Sequence, residues 1–281
     1  MTERKAAVLG SPVAHSLSPV LHGAAYAALG LPWTYTRVEC DAEALPGLVS
    51  GLGPEWVGLS VTMPGKHAAL ATASSATARA VAVGAANTLV RQQDGTWHAD
   101  CTDVDGVTGA LRANGYVPST SDTAVVLGAG GTASAALAAF AAMGLASATI
   151  VVRDPARATS AIDCATRLGL PVEVLTWSTV DFAWLAARAS LLVNTAPAAA
   201  VEPLAPDLAG CAHVLDVIYH PWPTPLAQAV DAKGGTLSTG LDMLLHQAFG
   251  QVELFTGRPA PRAEMRTALR EATNSTIPLP L

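Results

Sequence analysis

The sequence predicts an α/β protein built from two domains, and three observations predict it. The chain has 281 residues, about two domains of ordinary size. Apolar strand-like runs alternate with helical stretches from end to end, the pattern of parallel sheets joined by crossover helices. Near the middle, a buried strand passes through a glycine-rich turn into an alanine-rich helix.

In order, strands are expected at Lys5–Leu9, Thr34–Glu39, Trp56–Val61, Thr88–Gln92, Thr96–Cys101, Thr123–Leu127, Ala148–Val152, Pro171–Leu175, Ser190–Asn194, His213–Val217 and Thr236–Ser238. Leu89–Gln92 and Thr96–Cys101 flank Asp94-Gly95, a hairpin-turn signal. The first sheet is therefore expected to be mixed. Ser18-Pro19 reads as a helix cap with proline at the first helical position, opening Val20–Leu29. Pro64-Gly65-Lys66 opens another short helix, and Leu241–Thr256 closes the chain by packing back on the first domain. The domain limits are placed at 1–104 plus 240–281 for one domain and 105–239 for the other.

Composition narrows the function classes. Half of the chain (51%) is hydrophobic and 14% is charged. The alanine content explains that sparse charge, and a homodimer would explain it too. The net charge of −6 argues against nucleic acid or an anionic membrane as partner, because phosphates need a concentrated basic face. An anionic small substrate needs only a few local cations. No run of roughly 18 apolar residues predicts a membrane span. The start runs from Met1 to Lys5 straight into strand-like Ala6–Leu9, without the apolar core of a signal peptide. Cys40, Cys101, Cys164 and Cys211 are scattered, with no C-x-x-C spacing. No disulfide frame or metal site is expected, and the cytoplasm is the expected compartment.

The sharpest local signal is Thr123-Ala-Val-Val-Leu-Gly128-Ala129-Gly130-Gly131-Thr132-Ala133, with a helix expected from Ser134 to Met143. Glycines let backbone N–H groups approach a pyrophosphate, and the helix N-terminus adds positive potential there. The segment predicts a Rossmann-like dinucleotide domain. The next strand ends in Arg153-Asp154-Pro155-Ala156-Arg157, where the adenine ribose should lie. Arg153 and Arg157 favour a 2′-phosphate and hence NADP, whereas Asp154 favours the free hydroxyl of NAD or simply caps a helix.

Four further segments sit at strand ends, where open α/β sheets bind ligands. They are Gly10 to Pro19 with His15, Ser16 and Ser18; Ser60-Val61-Thr62-Met63-Pro64-Gly65-Lys66; Gly84-Ala85-Ala86-Asn87-Thr88; and Asp100-Cys101-Thr102-Asp103. Together they suit a ligand with several hydroxyls and a carboxylate.

These segments, with the glycine-rich turn and the C-terminal Gly240-Leu-Asp-Met-Leu-Leu-His-Gln247-Ala248, resemble the shikimate dehydrogenase family from about Lys5 to Gly257. Gly53 to Lys66 is similar to actinobacterial members. The resemblance implies an oxidoreductase acting on a CH–OH group. It would reduce 3-dehydroshikimate to shikimate reversibly with NADPH, in the chorismate route to aromatic amino acids. Ser16 and Ser18 would hold the substrate carboxylate, and Thr62, Asn87 and Asp103 the ring hydroxyls. Lys66 would be the acid/base, paired with Asp103. Tyr219 and Gln247 would line the same pocket, set in a cleft between the domains. Gly128 to Thr132 would take the pyrophosphate and Arg153 the 2′-phosphate, with Val217 and Gly240 near the nicotinamide. Three positions depart from the family pattern. Ser60 stands where N-V-T has asparagine, Cys101 where N-T-D has asparagine, and Asp154 where N-R-T has threonine.

Such a reduction needs a proton at the carbonyl oxygen as charge develops there, and a lysine ammonium can supply it. Desolvation would lower the lysine pKa and Asp103 would raise it, and sequence does not decide between them. Two alternatives remain open at this level: an NAD-preferring quinate/shikimate dehydrogenase, and a non-catalytic sensor of dinucleotide and metabolite.

Overall fold

The computed structural model describes residues 3–274 and 277–281. The chain divides into two compact units. One comprises Met1–Asp103 with Leu244–Leu279 and Leu281; the other comprises Val104–Met243 with Pro280.

The first unit holds a six-stranded sheet. Its strands are β1 (Arg4–Gly10), β2 (Trp33–Glu39), β3 (Trp56–Val61), β4 (Ser75–Ala76), β5 (Thr88–Arg91) and β6 (Trp97–Asp100), in spatial order β2-β1-β3-β5-β6-β4. β1 pairs in parallel with β2 and β3, while β5 runs antiparallel to both β3 and β6, so the sheet is mixed as expected. The β5–β6 hairpin turns at Gly95, whose φ of 85° glycine adopts freely, and Asp94 Oδ1 accepts from the Thr96 amide at 2.9 Å. The core packs Leu9, Leu45, Leu59, Leu89 and Trp97. β4 is a two-residue strand, too short to carry an alternation that sequence could show.

Helix Ser18–Ala28 follows β1. Here the expectation for Ser18 fails. The helix is capped by Leu17 with no side-chain capping bond, and Ser18 is its first residue. The Ser18 hydroxyl is instead drawn to its neighbour, accepting from Ser16 Oγ at 3.2 Å.

The second unit holds β7 (Thr123–Leu127), β8 (Ser147–Val152), β9 (Val172–Thr176), β10 (Leu191–Asn194), β11 (His213–Asp216) and β12 (Thr236–Thr239). Every pairing is parallel, in the order β12-β11-β10-β7-β8-β9. Numbered within this unit the order is 3-2-1-4-5-6, that of a Rossmann dinucleotide fold, whose ligand crevice opens between the strands where the order reverses, here β7 and β10. Both of its faces are covered, so its strands read as continuous apolar runs. The helix Gly131–Met143 is buried from Ala133 to Phe140, which its alanines permit by letting the helix axis approach the strands.

The long helix Gly240–Thr256 starts in the second unit and ends in the first. Its start is fixed by a reciprocal pair. The Asp242 amide donates to Thr239 Oγ1 at 3.2 Å, and Asp242 Oδ2 accepts from the Thr239 amide at 2.7 Å. Among the described residues no helix is long and apolar enough to cross a membrane, and no group of three acidic, histidine or cysteine side chains could hold a metal ion.

Candidate active site

Strand register gathers the polar segments of the first unit at one end of its sheet. Val8 lies beside Ser60, Ser60 beside Thr88, and Thr88 beside Asp100. The loops after β1, β3 and β6 and the loop before β5 therefore leave the sheet together.

At that end Lys66 Nζ lies 2.5 Å from Asp103 Oδ2, with 15% and 8% of the two side chains exposed. Lys66 opens helix Lys66–Thr72, and its carbonyl is tied to the Ala86 amide at 2.9 Å, which fixes the root of the side chain. Burial pulls the Lys66 ammonium down, but the adjacent Asp103 carboxylate pulls harder, and the net direction is up. The structure thus decides the balance that the sequence left open.

The other oxygen of Asp103 accepts from Asn87 Nδ2 at 2.9 Å. Asn87 is buried at the centre of these contacts. Its amide nitrogen also reaches Thr102 Oγ1 and Gln247 Oε1 at 3.0 Å each, while its Oδ1 accepts from the Thr102 amide at 2.8 Å and Thr88 Oγ1 at 2.9 Å. Ser16 and Ser18 pair in the loop after β1. Thr62 is half-buried, with its amide bonded to the Leu9 carbonyl at 2.8 Å. Cys101 is buried, and burial together with the Asp103 charge pushes its thiol well above the ordinary range, as befits a packing neighbour rather than a reactive thiol.

Sequence reasoning missed several residues here. Arg37 grips the Ser16 carbonyl through Nε at 2.8 Å and Nη2 at 2.6 Å, anchoring the serine loop. Beside it runs a largely buried network of His22, Tyr26, Tyr35, Ser60 and Gln251. Tyr35 donates to Ser60 Oγ at 2.6 Å and Ser60 to Gln251 Oε1 at 2.8 Å. His22 is fully buried and stacked on Tyr35 at 4.0 Å, and desolvation holds its pKa down to about 3 against a bond from Gln251. The signal for Gln251 was present: glutamines at 247 and 251, one turn apart on the same face of the long helix.

The remaining predicted residues lie in the second unit, Tyr219 among them. Gly128 follows β7 with φ of 108°, and a Cβ there would come within 2.5 Å of Thr195 Oγ1 beyond β10. Ala129 leads to Gly130, above which a Cβ would meet no atom within 4 Å. Gly130 caps the helix Gly131–Met143 without a side-chain bond, and Thr132 lies in its first turn, so first-turn N–H groups are left for an outside acceptor. That opening fits a dinucleotide pyrophosphate. Arg153 and Arg157 are exposed beyond β8, and among the described residues no hydrogen bond or ion pair is drawn to either guanidinium. Asp154 Oδ1 accepts from the Ala156 amide at 3.0 Å, capping the short turn Pro155–Ala158. Gly240 lies against Val217 and Tyr219; a Cβ there would fall 2.1 Å from the Val217 carbonyl oxygen and 2.8 Å from the Tyr219 ring.

Comparison with known proteins settles the lineage. Over 94% of its length the chain is 36% identical to a shikimate dehydrogenase (NADP(+)) of Synechococcus, covering 92% of that protein. The chain belongs to the shikimate dehydrogenase family. The family profile for the shikimate dehydrogenase substrate binding domain matches residues 8–89, and that for the shikimate 5'-dehydrogenase C-terminal domain matches 240–270. Among solved structures, the Mycobacterium tuberculosis shikimate dehydrogenase is 53% identical with a TM-score of 0.89, over 95% of this chain and 99% of that one. The Thermus thermophilus shikimate 5-dehydrogenase, solved with NADP(H) and shikimate, is 33% identical with a TM-score of 0.79, over 96% and 99%. For a shikimate dehydrogenase family member, the departures at 60 and 101 now have structural readings: Ser60 is bonded inward to Gln251, and Cys101 is sealed in the core.

Proposed function

We propose that this chain is an NADP-dependent shikimate dehydrogenase, reducing 3-dehydroshikimate to shikimate reversibly. The observation that carries the reading is the Lys66–Asp103 ion pair, braced on its far oxygen by the Asn87 amide. A bound NADPH supplies the hydride. Lys66, held as an ammonium by Asp103, gives its proton to the carbonyl oxygen as the alkoxide develops; in oxidation the neutral amine takes the hydroxyl proton back. Asp103 holds the ammonium in place, and with Asn87, Thr62 and Gln247 it binds the ring hydroxyls. Ser16 and Ser18 bind the carboxylate, on a loop anchored by Arg37. Tyr219 completes the substrate contacts.

On this reading residues 1–104 and 240–281 form the substrate domain and residues 105–239 the dinucleotide domain. Gly128 to Thr132 take the pyrophosphate, with Val217 and Gly240 at the nicotinamide. Arg153 and Arg157 take the 2′-phosphate; Asp154 is engaged as a cap through one oxygen, which weakens the case for NAD. Four buried, unpaired cysteines support a reducing, cytoplasmic setting. The low charged fraction supports a homodimer, which sedimentation equilibrium tests. The activity test is NADPH absorbance on mixing the protein with NADP and shikimate. Rapid reduction is expected; reduction only with NAD and quinate, or none at all, would overturn the proposal.

A further inference from the structure

We infer that Gln251 is a positioning residue for the proposed reaction, bracing the Asn87 backbone and Thr88 beside Ser60, which stands where the family's N-V-T motif has asparagine. The inference rests on the function proposed above. Gln251 is 1% exposed and uses its whole hydrogen-bonding capacity. Its Nε2 donates to Thr88 Oγ1 at 3.0 Å and to the Asn87 carbonyl at 3.2 Å. Its Oε1 accepts from Ser60 Oγ at 2.8 Å and lies 3.3 Å from His22 Nε2. One turn earlier on the same helix, Gln247 accepts from the Asn87 side chain. The two glutamines thus hold Asn87 from both sides, backbone and amide, and Asn87 in turn braces the carboxylate that pairs with Lys66.

Ser60 cannot fill that role alone. Its single proton is committed to Gln251 Oε1, and it already accepts from Tyr35. Ser60 and Thr88 are register partners on neighbouring strands, so a longer amide at 60 would reach the Thr88 hydroxyl that Gln251 now holds. Beside an intact Gln251 that amide would crowd Gln251 and Tyr35; with Gln251 shortened it would have room.

The test compares wild type, Gln251→Met, Gln251→Ala and the double variant Ser60→Asn/Gln251→Ala. It uses initial rates of NADP reduction by shikimate and shikimate affinity by isothermal titration. Gln251→Met keeps the volume and removes the bonds. It is expected to lower kcat by about tenfold or more while shikimate Kd moves by less than about threefold. The double variant is expected to recover at least about fivefold of the kcat lost in Gln251→Ala, a coupling that a purely structural glutamine would not produce. A wild-type protein inert toward shikimate overturns the functional reading itself. An active wild type with Gln251→Met within about twofold of it, or a double variant no faster than Gln251→Ala, overturns the positioning role. If Gln251→Met does not fold, the double variant decides: folded and active supports the inference, and inactive overturns it.

Discussion

Asp103→Asn removes one charge and no volume, and its consequences can be worked from the geometry. Asp103 accepts two donors, Lys66 Nζ at 2.5 Å and Asn87 Nδ2 at 2.9 Å. An asparagine has one accepting oxygen. Turned toward Lys66, its own NH2 meets the NH2 of Asn87; turned the other way, its NH2 meets the ammonium. Either orientation leaves a donor facing a donor in a buried place, which costs about 1–3 kcal/mol. With the charge centres taken about 4 Å apart, the lost ion pair is worth about 4 kcal/mol at an effective dielectric of about 20, and the 15% exposure of Lys66 trims that to about 2–3 kcal/mol. With its main opposition gone, burial then lowers the Lys66 pKa relative to wild type. Oxidation of shikimate requires the neutral amine, so its rate rises as pH climbs through the lysine pKa. The assay is the initial rate of NADP reduction by saturating shikimate across the alkaline range, read for the position of the rise rather than its height. The rise should begin at lower pH in Asp103→Asn than in wild type, and urea unfolding should show a loss of about 3–6 kcal/mol. An unmoved profile would refute the reasoning, because Asp103 would then not govern the proton on Lys66.

Three further outcomes are expected. Gly130→Val should fold normally, since open space surrounds that position, yet raise the KM for NADP by about tenfold or more in steady-state assays; Gly128→Ala should instead lower stability, because its φ of 108° strains any side chain and Thr195 stands in the way. Arg153→Ala should weaken NADP by about 1.5–3 kcal/mol, the value of a charge-assisted bond, and leave NAD unchanged, as fluorescence titration with each nucleotide would show. The His22 pKa of about 3 lies below its unfolded value near 6.5, so the stability it contributes is complete above about pH 6.5 and is lost as pH falls toward 3, up to about 5 kcal/mol; urea unfolding across that window should show the slope, and His22→Leu should remove it.

Much of this molecule was legible in its residues, for reasons that differ by region. The parallel sheet of the second unit has both faces covered, so its strands appear as short apolar runs such as Thr123–Leu127, and they were placed within a residue or two. The hairpin was marked by Asp94-Gly95 because the turn needs a residue at ease with positive φ, which Gly95 supplies. The Lys66, Asn87 and Asp103 constellation was legible through motif order, and their side-chain contacts bear out the nearness of the three. Ser18 was misplaced as a cap because cap preference is local, whereas its hydroxyl is set by Ser16. The Thr239–Asp242 box is a readable S/T-x-x-D/E signature of a helix start. Arg37, His22 and Tyr35 were not legible at all. Each acts through a partner distant in sequence, Arg37 on Ser16 and Tyr35 on Ser60, and no local pattern records such a contact. The balance of forces on Lys66 likewise required coordinates, since burial and Asp103 oppose each other there.

The most direct measurement for the whole account is a Lys66→Ala comparison of kcat with shikimate affinity in the same preparation. Loss of the proton carrier should lower kcat by about 10²–10⁴-fold, equivalent to about 3–5 kcal/mol of barrier, with shikimate Kd by calorimetry within about tenfold of wild type. A variant that oxidises shikimate at the wild-type rate would contradict the assignment of Lys66 as acid and base.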